Sequence, residues 1–156
     1  MQKRLVRAPG QHRAAPPSWL EVENLAQVEL TSEDPAHPIE AALRPGGASG
    51  WRASEPGTQS IRLLFNQPQP VRRIRLHFVE PAAERTQEFS LRWSPDSGRS
   101  FQELVRQQYT FSPGGATAEL EDFEVDLAAV TALELTIIPD QGHGQARASL
   151  AEWLLA

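Results

Sequence analysis

The sequence has 156 residues, 40% of them hydrophobic, which suits one domain with a single core and is too short for two. It contains no cysteine, and this excludes disulfide frameworks, thiolate zinc sites and cysteine nucleophiles. The net charge is -5, and because residues 1–18 carry Lys3, Arg4, Arg7 and Arg13 without an acid, the rest carries -9, a balance that disfavours nucleic-acid binding.

The N-terminal segment is predicted to be a tail outside the folded domain. Residues 1–18 are basic and proline-rich and have no apolar periodicity, so we predict a flexible tail at 1–18 and a domain at 19–156 that begins near Trp19. The start of the chain has no apolar run of the roughly 7 to 15 residues typical of a secretory signal. No stretch approaches the roughly 20 apolar residues that cross a bilayer. We therefore expect a cytoplasmic protein without a membrane partner.

The first predicted elements are a strand and a short helical turn. Apolar residues alternate over 26–30, which predicts a strand with one buried face. A short helical turn is predicted near residues 35–43, with Asp34 as its N-cap and Pro35 in the first helical position. The glycines at 46, 47 and 50 are expected to adopt positive backbone angles in a turn, and Trp51 then anchors the core.

The remaining predicted elements are strands. Alternation over 61–65 and 74–78 around the proline-containing stretch 66–70 predicts one hairpin, and 89–93 with 101–105 around the turn at 94–98 predicts another. Further strands are expected at 119–127, 133–138 and 147–154, although the stretch 127–135 fits a helical turn as well. About eight short strands separated by turns predict an all-β fold, an antiparallel β-sandwich or jelly roll.

Several motifs in order carry a family resemblance. They are the Ala-Leu-x-x-Gly stretch at 42–46, Gly50-Trp51, the strand-turn-strand segment at 89–101 and the Ser-Leu-x-Glu-Trp segment at 149–153. In this order they resemble the discoidin, or coagulation factor 5/8 type C, domain of the galactose-binding-like superfamily. The resemblance implies a binding domain without catalysis. Residues 32–37 followed by 51–53 also resemble the N-terminal domain of the X-ray cross-complementing scaffold of single-strand-break repair, an interaction module.

Two departures from the resemblance bear on ligands. Relatives that hold calcium use an Asp in the loop before the tryptophan, but Arg44 stands there, so the resemblance implies neither a metal nor another cofactor here. The resemblance places Glu152 in the last strand with an inward parity, and we expect Arg44 or Arg52 to supply a counter-charge in a structural ion pair. Sugar-binding relatives place an Arg directly after the strand that ends near residue 79, whereas this chain has Glu80-Pro81 and could use Arg85 instead.

Catalytic signals are weak. His37 and His143 have no ligand spacing and are expected to be solvated, and Ser94, Ser97 and Ser100 lie in turns without a nucleophile elbow. Glu119 and Glu121 share a strand face, which usually means solvated charge.

A basic stripe on one predicted strand has two interpretations. Arg73, Arg75 and His77 alternate, and cross-strand pairing with acids is the favoured interpretation, with an anionic partner as the alternative.

Loops converge at one end of a sandwich, and there we place the candidate recognition residues. They are Arg85, Tyr109, Phe111 and His143, although Tyr109 and Phe111 fit the core equally well. The favoured function is an intracellular protein-interaction or scaffolding module. A carbohydrate-binding module is the alternative, and an enzyme is the third hypothesis. The partner is thus a protein or a glycan.

Overall fold

The described part of the chain forms eight strands and two short helices. The computed structural model describes residues 18–46, 50–142 and 144–156, so most of the expected tail, Gly47 and His143 lie outside the described residues. The elements follow in the order α1 (Val22–Leu25), β1 (Ala26–Leu30), α2 (Ile39–Leu43), β2 (Trp51–Arg52), β3 (Gln59–Val79), β4 (Arg85–Ser94), β5 (Gln102–Phe111), β6 (Ala118–Ile138), β7 (Ser149–Leu150) and β8 (Glu152–Leu155). In the described ranges, neither helix has the length and apolar character needed to span a bilayer.

Two bent strands, β3 and β6, build the sandwich. Each has 21 residues, and they pair antiparallel along most of their lengths, with breaks in register between Leu64 and Arg73. The first half of β3 joins β1 and the second half of β6, and β4 and β5 continue this layer in the order β1-β3-β6-β4-β5. The second half of β3 joins β8 and the first half of β6. The result is a five-stranded layer facing a three-stranded one, which confirms the expected antiparallel sandwich.

The core lies between these layers. Phe78 of the three-stranded layer and Phe89 of the five-stranded layer meet across it, with ring centroids 5.0 Å apart. The apolar residues that the sequence singles out gather there: Trp51, Leu76, Leu91 and Leu150 are buried, and Phe65 packs partly buried against them. Each buried side chain of this size contributes roughly 1.5–3 kcal/mol of burial free energy, so the alternating residues dominate the stability of the fold.

One predicted hairpin is wrong. Residues 61–65 and 74–78 do not pair with each other, because β3 runs continuously from Gln59 to Val79 and crosses from one layer to the other. Pro68 and Pro70 lie where the β3–β6 register breaks, a position at which a missing backbone N–H costs no ladder hydrogen bond. The hairpin of β4 and β5 is confirmed. The stretch 127–135, which was open between helix and strand, belongs to β6.

The helical turn is confirmed, but its start is not where the sequence places it. Helix α2 begins at Ile39 after Pro38, and its first backbone N–H donates to the Glu33 carboxylate at 2.7 Å. Asp34 instead accepts from the backbone N–H of Ala36. The capping role therefore belongs to Glu33, because residues 34–37 form an isolated bridge before the helix starts. Helix α1 has no counterpart among the predicted elements.

Three charged side chains form a row across the outer face of the five-stranded layer. Arg62 and Arg92 both bind the carboxylate of Glu134, which lies between them in register. Both guanidinium groups also lie over the ring of Phe101, at 5.1 and 4.6 Å from its centroid. Burial alone would raise the pKa of Glu134, but the hydrogen bonds from Arg92 and Arg62 outweigh it and hold the pKa below its usual value.

The first and last described segments lie side by side. The backbone N–H of Leu20 donates to the carbonyl oxygen of Leu155 at 2.7 Å. The carbonyl oxygen of Ala156 accepts from the backbone N–H groups of Arg72 and Arg73 at 2.6 and 2.9 Å. The chain therefore enters and leaves the sandwich at one place on the three-stranded layer.

Gly50 is a position where only glycine fits. Its φ is +60°, and a Cβ there would lie 2.3 Å from the carbonyl oxygen of Leu150, whose residue pairs with Trp51. We expect Gly50→Ala to cost several kcal/mol of unfolding free energy, measured by chemical denaturation, because the strand pairing must move. The matched control is Gly46→Ala, where φ is +71° and no atom lies within 4 Å of the added Cβ, so only backbone strain of about 1–2 kcal/mol is expected. Equal losses for the two variants would contradict the steric explanation.

Candidate functional site

Three loops meet at one end of the sandwich, which we call the loop end. They are the β3–β4 loop (80–84), the β5–β6 loop (112–117) and the stretch after β6 (139–142). The backbone N–H of Glu80 donates to Thr117 O, and that of Gln141 donates to Thr86 O, both at 2.8 Å. The loops are thus held to each other and to β4.

The structure brings together three of the predicted recognition residues. β4–β5 pairing sets Arg85 opposite Phe111, and the Arg85 guanidinium lies 4.8 Å from the centroid of the Phe111 ring. The rings of Tyr109 and Phe111 are 5.0 Å apart. Arg85 is only 3% exposed and Phe111 is fully buried, while Tyr109 is half-buried. Arg85 nevertheless lines a cleft at this end, and Tyr109 is partly exposed, so the ligand-binding role of the three residues stays a prediction.

Arg85 makes three hydrogen bonds within the protein. It donates to Glu80 Oε1 at 2.8 Å, to Gln87 Oε1 at 3.1 Å and to the carbonyl oxygen of Pro139 at 2.7 Å. Burial alone would raise the pKa of Glu80, but the Arg85 guanidinium outweighs it and holds the pKa below its usual value. Arg85 therefore fastens the β3–β4 loop to the stretch after β6.

Gln87 joins Arg85 to a carboxyl group that the sequence led us to expect in solvent. That expectation is wrong for Glu119, which is 3% exposed because its side chain points between the layers, on the face shared by its register partner Phe78. One carboxylate oxygen accepts from Gln87 Nε2 at 3.4 Å, and the other is buried without a partner among the described residues. Burial, reinforced by the negative charge of Glu121, raises the pKa of Glu119 to about 7.

A polar cleft of about 560 Å³ opens over this cluster. Its walls present hydroxyl, amide, carboxylate and guanidinium groups, with no aromatic residue among the described lining residues, which include Arg85, Thr86, Gln108, Thr110, Asp140 and Gln141. The hydroxyls of Thr86 and Thr110 bond to each other at 2.9 Å across the β4–β5 pair.

A second depression, on the other side of the β3–β4 loop, is largely apolar. This loop-end groove has a volume of about 490 Å³, and its walls come from Trp51, Val79, Pro81, Leu150 and Ala151, with His37, Arg52 and Ser149 on its polar side. Val79 is 41% exposed, and within the described ranges only Leu120 is another large apolar side chain with comparable exposure. Contiguous exposed apolar surface at a concavity is typical of an interaction site.

Sequence reasoning missed the groove, although a signal was present. Val79 continues the outward-facing series of Arg73, Arg75 and His77 along β3, and a β-branched apolar residue on an outward-facing position is unusual next to three basic ones. Only the packing of β2 and β7 beside β3 turns that residue into the wall of a groove.

The predicted ion pair of Glu152 with Arg44 or Arg52 is wrong. Arg44 binds the Glu23 carboxylate with two hydrogen bonds of 2.6 and 2.8 Å, because helix α1 brings Glu23 alongside it. Glu152 accepts from the backbone N–H of Gly46 at 3.2 Å and lies 3.9 Å from His77 Nδ1. Its side chain retains about 20% exposure, so it needs no buried counter-charge.

The favoured interpretation of the basic stripe is confirmed. Arg73 binds Asp122 with two hydrogen bonds of 2.8 and 2.9 Å, and Arg75 binds the same carboxylate. Both guanidinium groups also lie over the ring of Trp19. The stripe is therefore engaged in pairing across the three-stranded layer.

The described residues offer no metal centre. None of their His, Asp and Glu side chains form a group of three or more that could hold an ion. His37 lines the groove beside Arg52, and one of its ring nitrogens is buried without a partner in the described part of the chain. The calcium question raised by Arg44 stays a prediction.

The chain resembles solved structures of one kind. It superposes on the CBM32 module of AlyQ in complex with 4,5-unsaturated mannuronic acid with a TM-score of 0.60 and 17% identity, over 85% of this chain and 95% of that one. The fold is that of the CBM32 modules. A CBM32 module of Clostridium perfringens GH89 in complex with GalNAc-β-1,3-galactose gives a TM-score of 0.59 and 19% identity, over 88% of this chain and 99% of that one.

A protein-interaction domain has the same CBM32-like fold. Reduced XRCC1 bound to the catalytic domain of DNA polymerase β gives a TM-score of 0.61 and 14% identity, over 85% of this chain and 95% of that one. No protein-family model matches the sequence, and neither does any curated protein. The two resemblances found in the sequence are thus confirmed at the level of the fold.

Arg85 is expected to act on stability. Arg85→Ala removes the cation paired with Glu80 and leaves Glu80 Oε1 and the Pro139 carbonyl without this donor, so we expect a loss of about 3–5 kcal/mol of unfolding free energy by chemical denaturation. The matched control is Arg106→Ala on β5, whose exposed guanidinium pairs with Glu103 and Glu88 and is worth about 1 kcal/mol or less. An Arg85→Ala protein as stable as the wild type would contradict the structural role.

Glu119 is expected to make stability depend on pH. Its pKa is about 7 in the folded protein and near 4.5 in the unfolded chain, so the folded state binds the extra proton and stability falls as pH rises from about 4.5 to above 7. Since each pKa unit is worth about 1.4 kcal/mol, the loss amounts to roughly 3 kcal/mol. Thermal unfolding of Glu119→Gln at pH 5 and pH 8 should lack this loss, whereas Glu124→Gln, on the exposed face of β6, should keep it.

Proposed function

We propose that this chain is a non-catalytic module that binds a protein partner at the loop-end groove. The observation that carries the proposal is the groove itself, a concavity with apolar walls and the exposed side chain of Val79 at its edge. Removing such surface from water favours association by roughly 25 cal/mol per Å² buried, and proteins that work alone seldom leave it open.

The charged groups at the loop end support a binding role without turnover. In the described part of the chain, Arg85 and Glu80 neutralise each other, and Glu119 lies beneath the surface against Gln87. Catalysis requires a nucleophile or a proton-transfer group that can approach a substrate, with a second group to orient it. The arrangement seen here fixes the loops instead.

The position of the arginine favours a protein over a glycan. Planar polar groups beside an exposed aromatic ring are the usual means of holding a sugar, but the polar cleft that Arg85 lines has no aromatic residue among its described lining residues, and Phe111, over which Arg85 lies, is buried. The apolar side of the groove is formed by aliphatic side chains and the buried Trp51. Such walls suit the apolar side chain of a protein.

Glycan binding in the polar cleft is the second candidate. The cleft presents hydroxyl and amide groups from Thr86, Gln108, Thr110 and Gln141, which can bond to sugar hydroxyls. The CBM32 neighbours, described with bound saccharides, share the fold. Retention on a glycan array that Gln108→Ala abolishes and Val79→Asp leaves intact would favour this candidate over the first.

The groove can be tested with two matched substitutions. A displayed library of random 12-residue peptides is selected on the wild-type domain, and the selected peptides are measured against Val79→Asp and Leu120→Asp. Val79→Asp should weaken binding at least tenfold, because it buries a carboxylate against apolar side chains.

Leu120→Asp is the control for a lost exposed apolar side chain. Leu120 is 58% exposed and lies outside the groove, so binding should stay within twofold of the wild type. Equal affinities of the wild type and the Val79→Asp protein, with both folded by thermal unfolding, would overturn the proposal.

A further inference from the structure

One arginine without a carboxylate partner among the described residues, Arg52, lines the loop-end groove, and a second, Arg147, lies near it in the chain segment that pairs with β2. β2 and β7 pair as a short antiparallel ribbon in which Arg52 is opposite Ser149, and both side chains line the groove. The ladder continues one residue further, through the Ala53 N–H to Ala148 O hydrogen bond of 2.9 Å.

Arg147 belongs to the same face of the ribbon as Arg52. Ala148 and Leu150 are buried, whereas Ser149 is half-buried and Arg147 is exposed, which is the alternation of a strand with one face turned outward. Residues two apart in a strand point to the same face, so Arg147 points to the same side as Ser149, which is also the side of Arg52. We call Arg52 and Arg147 the groove arginines.

The groove arginines have no carboxylate within 4 Å among the described residues. Among the acids of the surrounding elements, Glu55 is exposed, and the others contact groups other than these two arginines. Glu80 binds Arg85, Glu152 accepts from Gly46 and lies near His77, and Asp34 accepts from the Ala36 backbone. Both guanidinium groups are therefore available to carboxylates of a binding partner.

We propose that the groove and the groove arginines together bind an acidic protein segment, with one apolar side chain in the groove and carboxylates on Arg52 and Arg147. This proposal rests on the proposed function, since it names the chemistry of the partner at the same site. The apolar walls favour a partner with an apolar side chain, and the arginines favour one with carboxylates next to that side chain. Arg suits this role because its planar guanidinium bonds a carboxylate through two N–H groups.

A nucleic acid fits the same surface less well. Its phosphates satisfy the arginines, but they provide nothing apolar for the walls formed by Val79, Pro81 and Leu150. The acidic remainder of the domain also repels a long polyanion, whereas a short protein segment presents its charges only at the groove. Binding of an oligonucleotide at this surface would therefore contradict the inference.

The experiment uses the same library of random 12-residue peptides. The wild-type domain should enrich peptides with an apolar residue flanked by Asp or Glu, and one enriched peptide is then synthesised with a fluorescent label. Its affinity is measured by fluorescence anisotropy for the full chain. Arg52→Glu and Arg147→Glu should each weaken binding about tenfold, because an attraction becomes a repulsion.

Arg99→Glu is the matched control. Arg99 is exposed, has no carboxylate within 4 Å among the described residues and lies in the β4–β5 turn, away from the groove. Its reversal changes the net charge by the same amount, so binding should stay within twofold. A peptide with Lys in place of its acids should regain affinity for the Arg52→Glu protein, which a merely structural effect of the substitution would not produce.

The outcomes separate this inference from the proposed function. If Val79→Asp abolishes peptide binding while both arginine reversals leave it unchanged, the groove binds protein, but the inference that the partner is acidic is wrong. If Val79→Asp also has no effect, the groove itself is wrong. Enrichment of peptides without acids, or displacement of the labelled peptide by a 12-nucleotide oligo-dT at equal concentration, would also overturn the inference.

Discussion

The structure depends on the pairing of β3 with β6 through a bend. Both strands pass from the five-stranded layer to the three-stranded layer, so a single antiparallel ladder holds the two halves of the sandwich together. The register breaks between Leu64 and Arg73 provide the bend, because irregular residues in a ladder increase local twist and turn the strand. β1, β4, β5 and β8 extend one half of this ladder or the other, and β2 and β7 pair separately beside it.

The same ladder determines which residues meet at the loop end. The second half of β3 ends at Val79 and the first half of β6 starts at Ala118, so the β3–β4 and β5–β6 loops meet where these strands pair. β4 then starts beneath them with Arg85 pointing inward. The interior at this end is polar, and its hydrogen bonds hold the loops in one arrangement. A rigid end costs less entropy on binding, which favours a preformed recognition surface.

The sequence predicts the positions of the strands better than the way in which the strands connect the two layers. Alternation of apolar residues is a local property, so it locates β1, β4, β5 and the two halves of β3 correctly. Whether 66–70 is a hairpin turn or a bend depends on which strands pair with each half, and no local pattern contains that information. Helix α1 has only four residues, too few for a periodic signal.

The site was harder to predict than the fold for the same reason. Residue types correctly drew attention to Arg85, Tyr109 and Phe111, and strand order brings them together, but parity within β4 and β5 turns Arg85 and Phe111 inward. The partner of Arg44 was missed because Glu23 lies 21 residues away on the unpredicted helix. The groove needed β2, β7 and the end of β3 to lie together, an arrangement that only three-dimensional packing reveals.

The adjacency of Leu20 and Leu155 has a consequence for how such a domain can be used. The chain segments at Leu20 and Leu155 lie next to each other on the three-stranded layer. A domain with neighbouring ends of this kind can be inserted into a loop of a longer polypeptide. The polypeptide on either side of such an inserted domain would join it near Leu155, at one end of β8. Ala151, which lines the groove, lies beyond the other end of β8. Fusion to a label or to another domain at that spot leaves the groove side unobstructed.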